Sequence, residues 1–169
     1  MITIVLPIKV EKKENGINDL DRAAQFLIPS IEKFFCLDKL YEFIIISPEC
    51  ELNEVKSRIK SDKIKFTFYN DHQVSPVLPE YGWFKQQVIK LAIFDKVKTD
   101  HYMLFDADMF LTRKVNYETD LFIDGKPLCN ASQYKTHYSW WIQTTKIFKM
   151  YRYYDPEAVS PDLTPMIMN

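Results

Sequence analysis

Tyr102-Met-Leu-Phe-Asp-Ala-Asp-Met-Phe110 follows directly on Tyr81-Gly-Trp-Phe-Lys-Gln-Gln-Val-Ile-Lys-Leu91 and its helical continuation. The first stretch is a short apolar strand that runs into two acidic residues. The second opens a helix, predicted over Gly82–Lys98, with Leu91, Ala92, Ile93, Phe94 and Val97 forming its apolar end. A helix that feeds a buried strand is the last step of a strand–helix–strand crossover.

Working back toward the start, the same alternation repeats. Ile2–Ile8 is a β-branched run ended near Pro7 and predicts a buried strand. Asp19–Phe35 has helical spacing through Leu20, Ala23, Leu27, Ile28 and Ile31, with Asn18 or Asp19 as N-cap. Pro29 inside it predicts a kink or a break. Tyr41–Ser47 is a second strand, Glu51–Lys60 a charged helix, and Ile64–Tyr69 a third strand; His101–Phe105 is the fourth. Asn70–Tyr81, with Pro76 and Pro79, is predicted as irregular loop. Beyond the acidic pair, Met109–Val115 continues extended, Leu121–Asn130 forms a hairpin turning at Asp124-Gly125, and His137–Arg152 is an aromatic-rich helix. The Pro-containing tail from Tyr153 is predicted as coil. The order predicts an α/β, Rossmann-like three-layer sandwich with a mainly parallel central sheet in one domain, 1–169.

Composition narrows the function. The 169 residues carry 22 Lys+Arg against 23 Asp+Glu, a net charge of -1, which disfavours a general nucleic-acid binder. Only 3 glycines are present, too few for several Gly-rich phosphate loops. Cys36, Cys50 and Cys129 are too scattered for a disulfide framework or metal knuckle. No stretch reaches the roughly 20 apolar residues that a membrane span needs, and the first residues lack a signal-peptide pattern. A cytoplasmic protein is expected. Lys146, Lys149 and Arg152 punctuate an apolar stretch that suits either peripheral membrane contact or an ordinary amphipathic helix.

In open α/β sheets ligands collect outside the carboxyl ends of the strands. Here that edge ends in Asp106 and Asp108, which share one side of an extended chain. Two carboxylates about 5 Å apart repel by roughly 3 kcal/mol at an effective dielectric near 20. A hard divalent cation, Mn²⁺ or Mg²⁺, is the natural compensation, and such ions commonly carry a substrate phosphate. The plainer alternative makes both aspartates turn residues. Crossover geometry brings the Gly82–Lys98 helix to the same edge, with Gln86 and Lys90 one turn apart. Lys90 there either neutralises a phosphate, pairs with an aspartate, or belongs to a solvated face.

Trp83-x-x-Gln86-Gln87-x-x-Lys90 followed by Asp106-Ala107-Asp108 resembles the GT-A-fold glycosyltransferases, in particular a bacterial and large-virus subgroup. The specific match covers residues 81–110. The resemblance implies a nucleotide-sugar-binding half over 1–115 and a partial acceptor half over 116–169. It implies Asp108 as a direct metal ligand and Asp106 near ribose and metal, with Ala107 between them on the donor side. Pro7 and Lys9 would hold the nucleoside, Asn70 and Asp71 the base, and Gln86 and Lys90 the donor sugar or phosphates. The late segment departs from the family in offering His137, Asp155 and Asp162 as its few candidates for a third ligand or a base. His137, Trp140 and Trp141 suit an acceptor site by ring stacking, or ordinary packing. The implied activity is transfer of a sugar from a UDP- or GDP-type donor to an acceptor hydroxyl, such as that of a glycan. Two rivals stand beside it: a non-catalytic nucleotide-sugar-binding or interaction domain, and a nucleotidyltransferase, whose Gly-rich loop after the first strand is missing from Pro7–Gly16.

Overall fold

The computed structural model describes residues 1–10, 16–128, 131–133, 139, 142, 146, 159–161 and 166–169. Its centre is a five-stranded sheet in the order β3-β2-β1-β4-β9. The strands are β1 (Ile2–Pro7), β2 (Leu40–Ser47), β3 (Phe66–Asn70), β4 (Tyr102–Leu104) and β9 (Met166–Met168). β1, β2, β3 and β4 run parallel, with Val5 opposite both Ile44 and Leu104, and Ile45 opposite Phe68. The chain steps outward from β1 to β3 and then returns to place β4 on the other side of β1. β1 and β4 therefore flank a topological switch point.

Both faces of the sheet are covered, which is why β1 is buried along its whole length. Ile4 and Leu6 pack with Phe43, Met103 and the helical segment after β1. Val5, on the opposite face, packs with Ile44, Leu104, Ile89 and Ile93. The first helical segment is α1 (Asp19–Arg22), a π-helical turn (Ala23–Leu27) and α2 (Ile28–Phe34). Asn18 caps it: its Oδ1 accepts from Asp21 N–H at 2.7 Å, while Asp21 Oδ2 accepts from Asn18 N–H at 3.3 Å. Pro29 neither breaks nor sharply interrupts this segment, as its sequence position suggests it would. It has no N–H to donate, and the helix widens just before it, Ile28 N–H reaching back five residues to the Ala23 carbonyl.

The other face carries α5 (Gly82–Ala92), which tightens into a 3₁₀ turn over Ile93–Lys96. The Gly82–Lys98 helix is thus α-helical only to Ala92. Short α3 (Leu52–Arg58) buries Val55 in the α1–α2 core. The hairpin turning at Asp124-Gly125 is present as β5 (Phe122–Ile123) and β6 (Lys126–Pro127), with both turn residues at positive φ.

Three expectations need correction. Asn70–Tyr81 is not wholly irregular, because α4 (Asp71–Val74) forms under an Asn70 capping box. Met109–Val115 forms no strand; Ser30 Oγ accepts from Leu111 N–H, and Phe34 O from Val115 N–H, so the segment is tied to the helix instead. The tail is not all coil. β8 (Val159–Pro161) pairs with β7 (Ala131–Gln133), and β9 pairs antiparallel with β4, Leu104 opposite Met166. A three-residue strand directly after Pro165 has no periodicity to detect; the free edge of β4 recruits it. Most of His137–Arg152, including Lys149 and Arg152, lies outside the described residues, as do Cys129, Asp155 and Asp162. Among the described residues no helix is long and apolar enough to cross a membrane.

One exposed ion pair ties α1 to α3. Arg58 donates to Asp21 and holds that carboxyl below the usual carboxylate range. A carboxyl whose pKa is depressed by folding stabilises the fold at neutral pH, and that contribution fades as the pH falls through the acidic range below about pH 4. Arg58→Ala should therefore lower the melting temperature slightly at pH 7. The difference from the wild type's melting temperature should be smaller at pH 3 than at pH 7. Equal differences at both pH values would show that Arg58 acts by packing instead.

Candidate functional site

The carboxyl ends of β1 and β4 set the site. Backbone pairing continues past both strands: Phe105 N–H donates to Val5 O at 3.0 Å, and Ile8 N–H to Ile46 O at 2.8 Å. Alternation along β4 sends Met103, Phe105 and Ala107 into the α1–α2 core, and Tyr102 and Leu104 toward α5. Asp106 falls on the α5 side. Its Oδ1 accepts from Lys90 Nζ at 2.8 Å and from Gln86 Nε2 at 3.4 Å.

This pair of contacts explains how Asp106 is tolerated at a largely covered position. Its side chain is 31% exposed and that of Lys90 only 8%. A charge-assisted hydrogen bond in such surroundings offsets much of the cost of desolvating both groups. Tyr102 Oη donates to the Lys90 carbonyl at 3.0 Å and pins this turn of α5 to β4. Burial pushes the Tyr102 hydroxyl above the ordinary phenol range. It stays protonated, and so a donor, throughout the neutral range.

Asp108 is in a different environment. Met109 N–H donates to Asp106 O at 3.1 Å and closes a turn around Ala107 and Asp108. Ala107 is buried and Asp108 exposed. The two aspartates are thus separated by a turn and do not share one side of an extended chain. Lys90 supplies the compensation for Asp106 that the sequence argument assigned first to a cation. Among the described residues no three His, Cys, Asp or Glu side chains gather closely enough to hold a metal ion. The chemistry of the pair still fits a hard divalent ion, through the exposed carboxylate of Asp108 with Asp106 beside it. With so few protein ligands, such an ion would fill its sphere from phosphate and water oxygens.

Across Gln86 from Asp106 lies a cleft of about 430 Å³. Its floor is the end of β1 and β2, with Pro7, Ile8, Ile46 and Ser47. One wall is the first turns of α5, with Gly82, Trp83, Lys85 and Gln86. Lys9, Asp19, Asp71 and Glu80 add charge around it. Of the donor-side candidates, Pro7, Lys9, Asp71 and Gln86 line this cleft, and Gln86 links it to Asp106. Lys90, Asp106 and Ala107 are not on its lining; Asp106 is joined to it through Gln86, and Lys90 through Asp106. Asn70 is not on the lining either, and its side chain caps α4 by accepting from Gln73 N–H at 2.8 Å. His137, Trp140 and Trp141 lie outside the described residues.

Four charged or aromatic residues of the lining, Asp19, Glu80, Trp83 and Lys85, had no site role assigned from the sequence. Lys85 had the signature of a solvated helix face, yet it forms an ion pair with Asp71, which is almost fully buried. Asp71 Oδ1 also accepts from His72 N–H at 3.0 Å. The partners are far apart in sequence, and only the return of α5 past the end of β3 brings them together.

Residues 1–169, the whole chain, match the sequence profile of DUF6492, described as a family of unknown function. The chain belongs to DUF6492. No curated protein matches it. In this DUF6492 member a charged cleft lies over the ends of β1 and β2, Gln86 links it to Asp106 at the switch point, α5 delivers an amide and an ammonium group to that aspartate, and Asp108 faces solvent.

Proposed function

We propose that this DUF6492 chain binds a nucleotide-diphosphate sugar and transfers its sugar to an acceptor hydroxyl, such as that of a glycan. The observation that supports this best is the Gln86–Asp106–Lys90 cluster at the switch point, two residues before exposed Asp108. It joins the resemblance over residues 81–110 to a cleft at the edge where open α/β sheets bind ligands.

A diphosphate in the cleft would meet Lys9 and Lys85, and Lys90 lies just beyond Gln86; because Lys85 already pairs with Asp71, and Asp19 and Glu80 also line the cleft, a divalent cation would have to accompany the anion. A volume of about 430 Å³ is within the range of small-ligand pockets. When the sugar leaves, negative charge grows on the departing diphosphate, and fixed positive charge lowers the barrier most where that charge develops. Mn²⁺ or Mg²⁺ bound at Asp108 would supply further neutralisation of the diphosphate. Asp106 keeps Lys90 oriented at the site, and Gln86 bridges from Asp106 to the cleft. The acceptor's proton goes to a base that we do not assign.

A binding domain without turnover is the second reading. It is favoured by one observation, that Lys90 already satisfies Asp106 without any ion.

Calorimetric titration with UDP- and GDP-hexoses, with and without Mn²⁺, tests the proposal. We expect saturable binding of one donor class that is strengthened by the ion, and release of free nucleoside diphosphate on incubation. Binding without release selects the second reading. Absence of heat with every donor, with or without ion, would overturn both.

A further inference from the structure

We infer that Trp83 is the stacking surface for the nucleobase of the donor, an assignment that rests on the proposed function and extends it to one residue. Trp83 sits on the first turn of α5 and lines the cleft, yet it remains 42% exposed. Most of the other side chains around the cleft are charged or aliphatic. A large flat ring left half in water beside charged groups matches a ligand that is itself flat and polar at its edges.

The ring is braced. Phe84 meets it edge to face with centroids 5.1 Å apart, and Tyr81 meets Phe84 at 5.6 Å. Both neighbours are themselves exposed, so this rim of aromatics is not a buried core. Placement along the helix supplies the second argument. Trp83, Gln86 and Lys90 are spaced i, i+3, i+7 and share one face. At 1.5 Å per residue the row spans about 10 Å from the ring to the ammonium-bearing turn. A nucleoside diphosphate lying along α5 covers a comparable length, its base over Trp83 and its terminal phosphate near Lys90 and Asp108. A free pyranose could also stack on an indole face; the length of the row and the charge at its far end favour the base.

The chain has 3 tryptophans, so Trp140→Phe/Trp141→Phe leaves Trp83 as the sole tryptophan, to be excited at wavelengths where the tyrosines do not absorb. We expect UDP or GDP with Mn²⁺ to quench its emission, with a midpoint matching the calorimetric Kd. Inorganic pyrophosphate should bind without quenching, and methyl pyranosides should leave the emission unchanged. Trp83→Ala should weaken nucleoside diphosphate binding by about tenfold or more, the scale of one base–aromatic stack. Its affinity for pyrophosphate should be unchanged, which also shows that the variant folds. Trp83→Phe should keep most of the nucleotide affinity. Unchanged nucleotide affinity in Trp83→Ala, or quenching by methyl pyranosides and not by nucleotides, would overturn the assignment alone. If calorimetry finds no nucleotide binding to the wild type, the proposed function falls first and this assignment with it.

Discussion

Asp108→Asn is expected to cut sugar transfer or donor hydrolysis by about 10²–10³-fold, the usual cost of losing one group that stabilises developing charge. The change keeps the shape and removes the charge. Asp108 is exposed, and among the described residues no hydrogen bond or ion pair of its side chain is present, so the fold should hardly notice. A surface substitution of this kind typically alters stability by less than about 0.5 kcal/mol. Melting temperature and activity should therefore separate cleanly. The Mn²⁺ enhancement of donor binding should vanish with the carboxylate. Full activity and an intact metal response in Asp108→Asn would exclude a metal role for this residue.

Lys90→Met should act in the opposite way, on stability and binding together. The Lys90 stem is buried in α5, and methionine retains much of its volume. What disappears is the ammonium group that faces Asp106 at 2.8 Å. Breaking a fully buried ion pair costs about 3–5 kcal/mol. Water reaches the partly exposed Asp106, so about 1–3 kcal/mol is the reasonable range here. For a chain of this size that corresponds to a melting temperature lower by about 2–12 °C. Donor affinity should fall as well, because one positive charge is lost beside the diphosphate. Adding Asp106→Asn to Lys90→Met removes the stranded carboxylate charge and should recover most of the stability without recovering turnover. A double variant no more stable than Lys90→Met would show that the pair is not what holds this corner together. The cycle thus separates the structural part of Lys90 from its functional part.

The two results bear on each other. Asp106 and Asp108 look alike in the sequence, but the fold assigns one to a helix partner and leaves the other to solvent. The largest effect on chemistry is expected at the residue with the smaller structural role. The largest effect on stability is expected at the residue that compensates its neighbour.

The four parallel strands and α5 could be found from local pattern. Ile2–Pro7 and Leu40–Ser47 are apolar runs because both of their faces are covered, and Leu20, Leu27 and Ile31 mark one helix face. The edge that carries the site was also legible, since two acidic residues closing the strand Tyr102–Leu104 contrast with everything before them. Crossover geometry together with helical spacing could place Gln86 and Lys90 near that edge. What stayed hidden was every choice between partners. Lys90 had three candidate roles and only the packing of α5 on β4 selects Asp106. Asp71 and Lys85 belong to different elements, and only the folded cleft shows what Trp83 lines. Met166–Met168 became a strand because β4 had an open edge to fill. By itself the chain's pattern determined which segments are buried and where they end, because burial leaves a periodic trace in consecutive residues. Which charges meet, and which side chain is left facing water, was decided only by the tertiary structure, because those contacts join residues with no periodic relation along the chain.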